Sequence, residues 1–93
     1  MAHLGVFTLK KTDGYQKLED VIKQQITDFS FENEKKYLVS FSENCLFCAK
    51  EQEPKEQEGF PRTSDAPVEY IHLEGSTLWV KPLRKTLLVN IAE

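Results

Sequence analysis

The chain carries few of the features that announce a chemistry. Its four glycines are isolated, so there is no Gly-x-Gly-x-x-Gly or Walker-type run to cradle a phosphate. Ser40, Ser42, Ser64 and Ser76 lack a Gly-x-Ser-x-Gly context, which removes the usual nucleophile elbow. No apolar run approaches the ~20 residues of a membrane-crossing helix. The start, Met1 to Lys11, has no basic segment leading into a long apolar stretch, so no secretion signal is expected. Two cysteines are too few for a disulfide framework, and a reducing, cytoplasmic setting is expected. The length of 93 residues leaves room for a single domain, 1–93.

Charge is present but unevenly placed. Residues 1–42 balance six lysines against six acids, residues 43–74 carry three basic and eight acidic groups, and residues 75–93 carry three basic groups and one acid. The total is −3, divided between an acidic middle and a weakly basic end. Such a balance disfavours nonspecific binding to polyanions, which needs concentrated Lys and Arg. Lys81, Arg84 and Lys85 are too few for strong electrostatic affinity unless the fold adds Lys10, Lys11 or Lys36.

Periodicity predicts the elements. Gly5 to Lys11 reads as a strand. Asp13 and Gln16 have capping-box spacing, and Leu18, Val21, Ile22, Ile26 and Phe29 mark one face of a helix over Tyr15 to Asp28. Lys36 to Ser42 alternates, with Tyr37, Val39 and Phe41 on one face. Lys50–Pro54 and Lys55–Gly59 form a tandem pentapeptide repeat without apolar side chains, so 51–66 is expected to be a mobile polar loop. Val68 to Leu73 and Thr77 to Lys81 read as a hairpin about Glu74-Gly75-Ser76, and Thr86 to Ala92 as the last strand. The expected fold class is α+β: one amphipathic helix packed on a mainly antiparallel sheet of about five strands, in the order β-α-β-loop-β-β-β.

Cys45 and Cys48 form a Cys-x-x-Cys that follows a strand. This stretch is similar to a thioredoxin-type active site, where a helix N-terminus lowers the thiol pKa. The residues after Cys48 lack the apolar stripe of the helix such a fold requires. The same thiols with His3 and His72 would make a four-ligand zinc site if the fold brought them together. The reading preferred here is plainer: both cysteines are small apolar side chains closing a strand beside Leu46 and Phe47. No catalytic residue and no cofactor are expected, and the chain is read as not an enzyme.

Binding residues are sought among aromatics and charges. Trp79 lies beside Lys81, Arg84 and Lys85, a combination that suits single-stranded nucleic acid or a protein interface. Trp79 as a core residue is the expected single outcome. Glu51, Glu53, Glu56 and Glu58 form an acidic loop able to face a basic surface on a partner protein.

Leu4-Gly-Val-Phe-Thr8 and Lys11-Thr-Asp-Gly-Tyr15, followed by Ala66-Pro67-Val68-Glu69-Tyr70, Gly75, Trp79-Val80-Lys81 and Leu87-Leu88-Val89, are similar to segments of a short uncharacterised bacterial family. That family is carried on conjugative plasmids and integrative elements. The resemblance implies a mobile-element origin. The sequence thus predicts a small binding protein, an accessory or inhibitor of a plasmid or phage, acting stoichiometrically on a host or element-encoded protein. The alternatives are a thiol-redox or zinc protein built on Cys45 and Cys48, and an accessory protein binding single-stranded nucleic acid.

Overall fold

Alternation does most of the folding here. Tyr37, Val39 and Phe41 all turn inward from strand β3 (Lys36–Phe41), while Lys36, Leu38 and Ser40 face out. The same period operates in β1 (His3–Lys10), where Phe7 and Leu9 are buried, and in β8 (Thr86–Ala92), where Leu87, Val89 and Ile91 are buried. These strands and β6 (Val68–Ile71) pair antiparallel into one sheet, in the order β1-β8-β3-β6.

A second antiparallel sheet has the order β2-β7-β4-β5, from β2 (Gln16–Lys17), β4 (Cys45–Lys50), β5 (Phe60–Arg62) and β7 (Thr77–Pro82). A computed structural model supplies this architecture; it describes residues 3–55, 58–62 and 67–93. Among the described residues the fold is therefore a small, sheet-rich α+β domain of eight strands in two sheets with one short helix.

The inward residues of both sheets meet in one cluster. Phe7, Leu9, Val39, Val80, Leu87, Val89 and Ile91 are wholly inaccessible to solvent. Each such side chain contributes about 1.5–3 kcal/mol by leaving water. Helix α1 (Leu18–Lys23) adds Leu18, Val21 and Ile22 to the cluster and lies against β1, β2 and β7.

The architecture corrects the sequence reading at four places. The expected helix over Tyr15–Asp28 is six residues long. At its start, Gln16 and Lys17 pair with Val80 and Trp79 instead, and the backbone of Lys11–Asp13 makes a 3-10 turn ending at Gly14 with φ +63°. No side chain caps α1, so the Asp13–Gln16 capping box does not form. Beyond Lys23 the amides of Gln24, Gln25 and Phe29 bond three residues back, in tight turns, where Ile26, Thr27 and Asp28 have low helix propensity. Ile26 and Phe29 still pack against the core.

The expected single sheet of about five strands is two sheets of four. The expected hairpin between Val68–Leu73 and Thr77–Lys81 does not pair, because the turn at Glu74–Gly75 carries the chain from one sheet to the other. Two strands, β4 and β5, stand where the reading placed a cysteine motif and a loop. β5 contains Pro61 and lies at an edge, where a missing N–H costs no ladder bond.

Candidate functional site

In strand β4 the offset of three residues places Cys45 and Cys48 on opposite faces. Cys45 is wholly buried in the shared core, and Cys48 is half-buried on the outer face of the second sheet. Burial pushes the Cys48 thiol up, and the neighbouring Glu58 carboxylate adds to the rise while Lys50 opposes it. A helix N-terminus, which would act in the other direction, is absent from this strand.

The histidines stand apart from these thiols and from each other. His3 is on the edge strand β1 with Nε2 3.3 Å from Asn90 Oδ1. His72 follows the opposite edge strand, β6; its Nδ1 is 2.7 Å from the Tyr70 hydroxyl and its ring stacks on Phe31. The fold does not bring Cys45, Cys48, His3 and His72 together. Among the described residues no group of three or more His, Cys, Asp or Glu side chains is arranged to hold a metal ion.

Trp79 faces away from the core yet is only 6% exposed. The chain itself meets its ring, from Lys50 at the end of β4 and from the Lys17 ammonium 5.5 Å from its centre. The indole N–H donates to the Lys50 carbonyl at 3.0 Å, and Pro54 is buried. Lys50 Nζ reaches both carboxylate oxygens of Glu58, at 2.7 and 2.9 Å, and the Lys55 amide donates to the same carboxylate at 3.1 Å. These hydrogen bonds hold the Glu58 carboxyl below its ordinary pKa. The Tyr15 hydroxyl donates to the Glu58 carbonyl. Gly59 takes φ +120°, and a Cβ there would sit 2.5 Å from the Tyr15 hydroxyl and 3.1 Å from the Phe47 carbonyl. The described residues of this charged repeat nevertheless pack, through Pro54, the Lys55 amide and the Lys50–Glu58 pair.

The charged candidates divide accordingly. Glu51 and Glu53 are exposed, Glu58 is engaged by Lys50, and Glu56 lies outside the described residues, as does the stretch 63–66 of the expected loop. Lys81 lies over the Tyr15 ring at 5.9 Å, and Lys17 over the Trp79 ring at 5.5 Å. Arg84 and Lys85 are exposed in the turn between β7 and β8. With 6% of its surface exposed, Trp79 offers no open ring for a nucleic-acid base to stack on.

The outer face of the first sheet is different. Val6, Leu88 and Ile71 keep 42, 41 and 52% of their surface exposed, and Leu38 and Ala92 lie between them on the same face. A shallow hollow of about 200 Å³ opens here, lined by His3, Leu38, Ser40, Pro67, Asn90 and Ala92. Sequence reasoning missed this face. The available signal was apolar residues at outward positions: Leu38 in the alternation of β3, and Leu88 breaking alternation in Leu87-Leu88-Val89.

Among the described residues no helix is long and apolar enough to cross a membrane. No family model, no curated protein and no solved structure matches the chain.

Proposed function

We propose that this chain is a non-enzymatic binding protein that acts in the cytoplasm by stoichiometric contact with another protein, through the outer face of its first sheet. The observation that carries the reading is the contrast between the two outer faces. One has its tryptophan covered by the chain itself, whereas the other leaves Val6, Leu88 and Ile71 exposed around a hollow. Val6, Leu88, Ala92, Leu38 and Ile71 share this face with Thr8, Asn90, Ser40 and the Lys36–Glu69 ion pair, the mixed apolar and polar make-up of a protein contact surface. The proposed accessory or inhibitor role in a plasmid or phage rests on the resemblance drawn from the sequence at Leu4–Thr8 and Trp79–Lys81.

Affinity capture with three forms of the chain tests this. The wild type retains a partner at fixed stoichiometry, the double variant Val6→Asp/Leu88→Asp loses it while keeping its far-UV spectrum, and Glu51→Lys/Glu53→Lys keeps it. The reverse pattern would transfer the contact to the acidic segment and overturn the reading. Removing residues 50–59 outright is a poorer test, because it also uncovers Trp79 and Tyr15.

A further inference from the structure

The weakly basic C-terminal segment acquires two more cations through the fold. Lys10 pairs with Thr86 across the β1–β8 ladder, and the Lys11 amide donates to the Lys85 carbonyl at 3.2 Å. Lys10, Lys11, Arg84 and Lys85 therefore occupy two adjoining turns at one end of the molecule, although about seventy residues separate the two pairs in sequence. All four are exposed, and among the described residues none forms an ion pair with a carboxylate. Asp13 and Glu43 are the acids in the turns at this end, and neither engages them.

Three cations elsewhere on the surface hold carboxylates, whereas Lys17, Lys23 and Lys55 also form no ion pair among the described residues. Lys35 holds Glu93 and Glu32, Lys36 holds Glu69, and Lys50 holds Glu58. Lys36 belongs to the opposite end of β3 and adds nothing to this cluster. On a chain of net charge −3, four unneutralised cations gathered on one end repel each other unless an anionic partner meets them.

We infer that this end binds the phosphate backbone of double-stranded nucleic acid, without reading its sequence. A DNA duplex presents one charge per roughly 1.7 Å of axis, about twice the density along a single strand, and so a regular array of phosphates for four clustered cations to meet. Single strands add affinity by stacking bases on aromatic rings. The aromatics of this neighbourhood, Tyr15 and Trp79, are both buried. The contact adjoins the apolar face assigned to the protein partner, since Lys10 and Thr86 lie two residues along the ladder from Thr8 and Leu88, and the substitutions that test it leave Val6 and Leu88 in place.

Fluorescence anisotropy of the full chain with a labelled 20-base-pair duplex, and with a single strand of equal length, tests the inference across a salt series. Four phosphate contacts give a log–log salt slope of about −3.6, so raising salt from about 50 to about 200 mM weakens duplex binding on the order of 100-fold. Lys11→Gln/Lys85→Gln, both at exposed positions, lowers the slope to about half, and Lys36→Gln leaves it unchanged. Lys10→Gln/Arg84→Gln repeats the test with the other two cations. No duplex binding at low salt, an unchanged slope in both double variants, or tighter binding of the single strand would overturn it. Sedimentation with phosphatidylserine vesicles in the absence of duplex binding would also overturn it, in favour of a membrane surface.

Discussion

The indole N–H of Trp79 donates to the backbone carbonyl of Lys50 at 3.0 Å, and through that bond a residue on an outer sheet face becomes a second, minor core. Lys50 ends β4 and begins the acidic repeat, so the bond ties the repeat to the sheet at the point where it leaves. Its side chain then grips Glu58, closing the segment over Tyr15 and Cys48.

Trp79→Ala removes this packing and leaves the Lys50 carbonyl without its donor. A loss of about 3–5 kcal/mol is expected, in the range of large aromatic truncations. Urea unfolding measures it. Because the chain has one tryptophan, the wild type should also show blue-shifted emission that acrylamide quenches poorly.

Gly59→Ala places a methyl group against the Tyr15 hydroxyl in a backbone region that L-residues rarely adopt. The expected cost is about 1–3 kcal/mol. In a Tyr15→Phe background the contact with the hydroxyl disappears while the backbone penalty stays, so part of the loss should be recovered. Equal losses in both backgrounds would place the whole effect in the backbone.

Tyr70 titrates at about 12 in the folded protein, raised from 10.0 chiefly by burial, with smaller contributions from Glu19 and Tyr37. The raised value means the folded state holds its phenol proton where the unfolded state has released it. The contribution is fully present below pH 10 and is lost as pH rises from 10 through 12, at about 1.4 kcal/mol per unit. Tyr15, also raised by burial first, acts in the same direction. Urea midpoints measured between pH 8 and pH 12 should fall at the alkaline end, and Tyr70→Phe should flatten the fall.

The cysteines should behave independently. Cys48, half-buried with a raised thiol pKa, should alkylate more slowly than a free model thiol at pH 8. Cys45 should react only on unfolding. Cys48→Ser should leave stability within about 1 kcal/mol, while Cys45→Ser buries a hydroxyl in an apolar core and should cost about 1–3 kcal/mol. A shared reactivity, or a metal bound by both thiols and lost in either variant, would contradict their placement on opposite faces.

Much of the fold was legible wherever one face of a strand is buried. The alternation of Tyr37, Val39 and Phe41 and the run from Thr86 to Ala92 each gave a strand within a residue of its bounds. Pairing was not legible. Val68–Ile71 and Thr77–Pro82 are strands joined by a turn, yet each pairs with distant partners, and no local residue specifies which sheet a strand joins. Helical spacing from Leu18 to Phe29 identified the buried face but not the helix length, since turns can present the same residues. The Cys-x-x-Cys spacing drew attention to chemistry and hid an ordinary strand in which Cys45 and Phe47 alternate inward. The candidate site was the least legible part. Lys10 and Lys11 join Arg84 and Lys85 only through the β1–β8 ladder, and the apolar outer face exists only once three strands lie side by side.

Hydroxyl-radical footprinting of the chain, alone and in complex with its captured protein partner, tests the central claim most directly. Leu38, Ile71 and Leu88 should lose labelling in the complex, while Phe60 and Leu83, exposed away from that face, keep it. Unchanged labelling at Leu38, Ile71 and Leu88, with protection at Phe60 or Leu83 instead, would contradict the assignment of the first sheet's outer face as the binding surface.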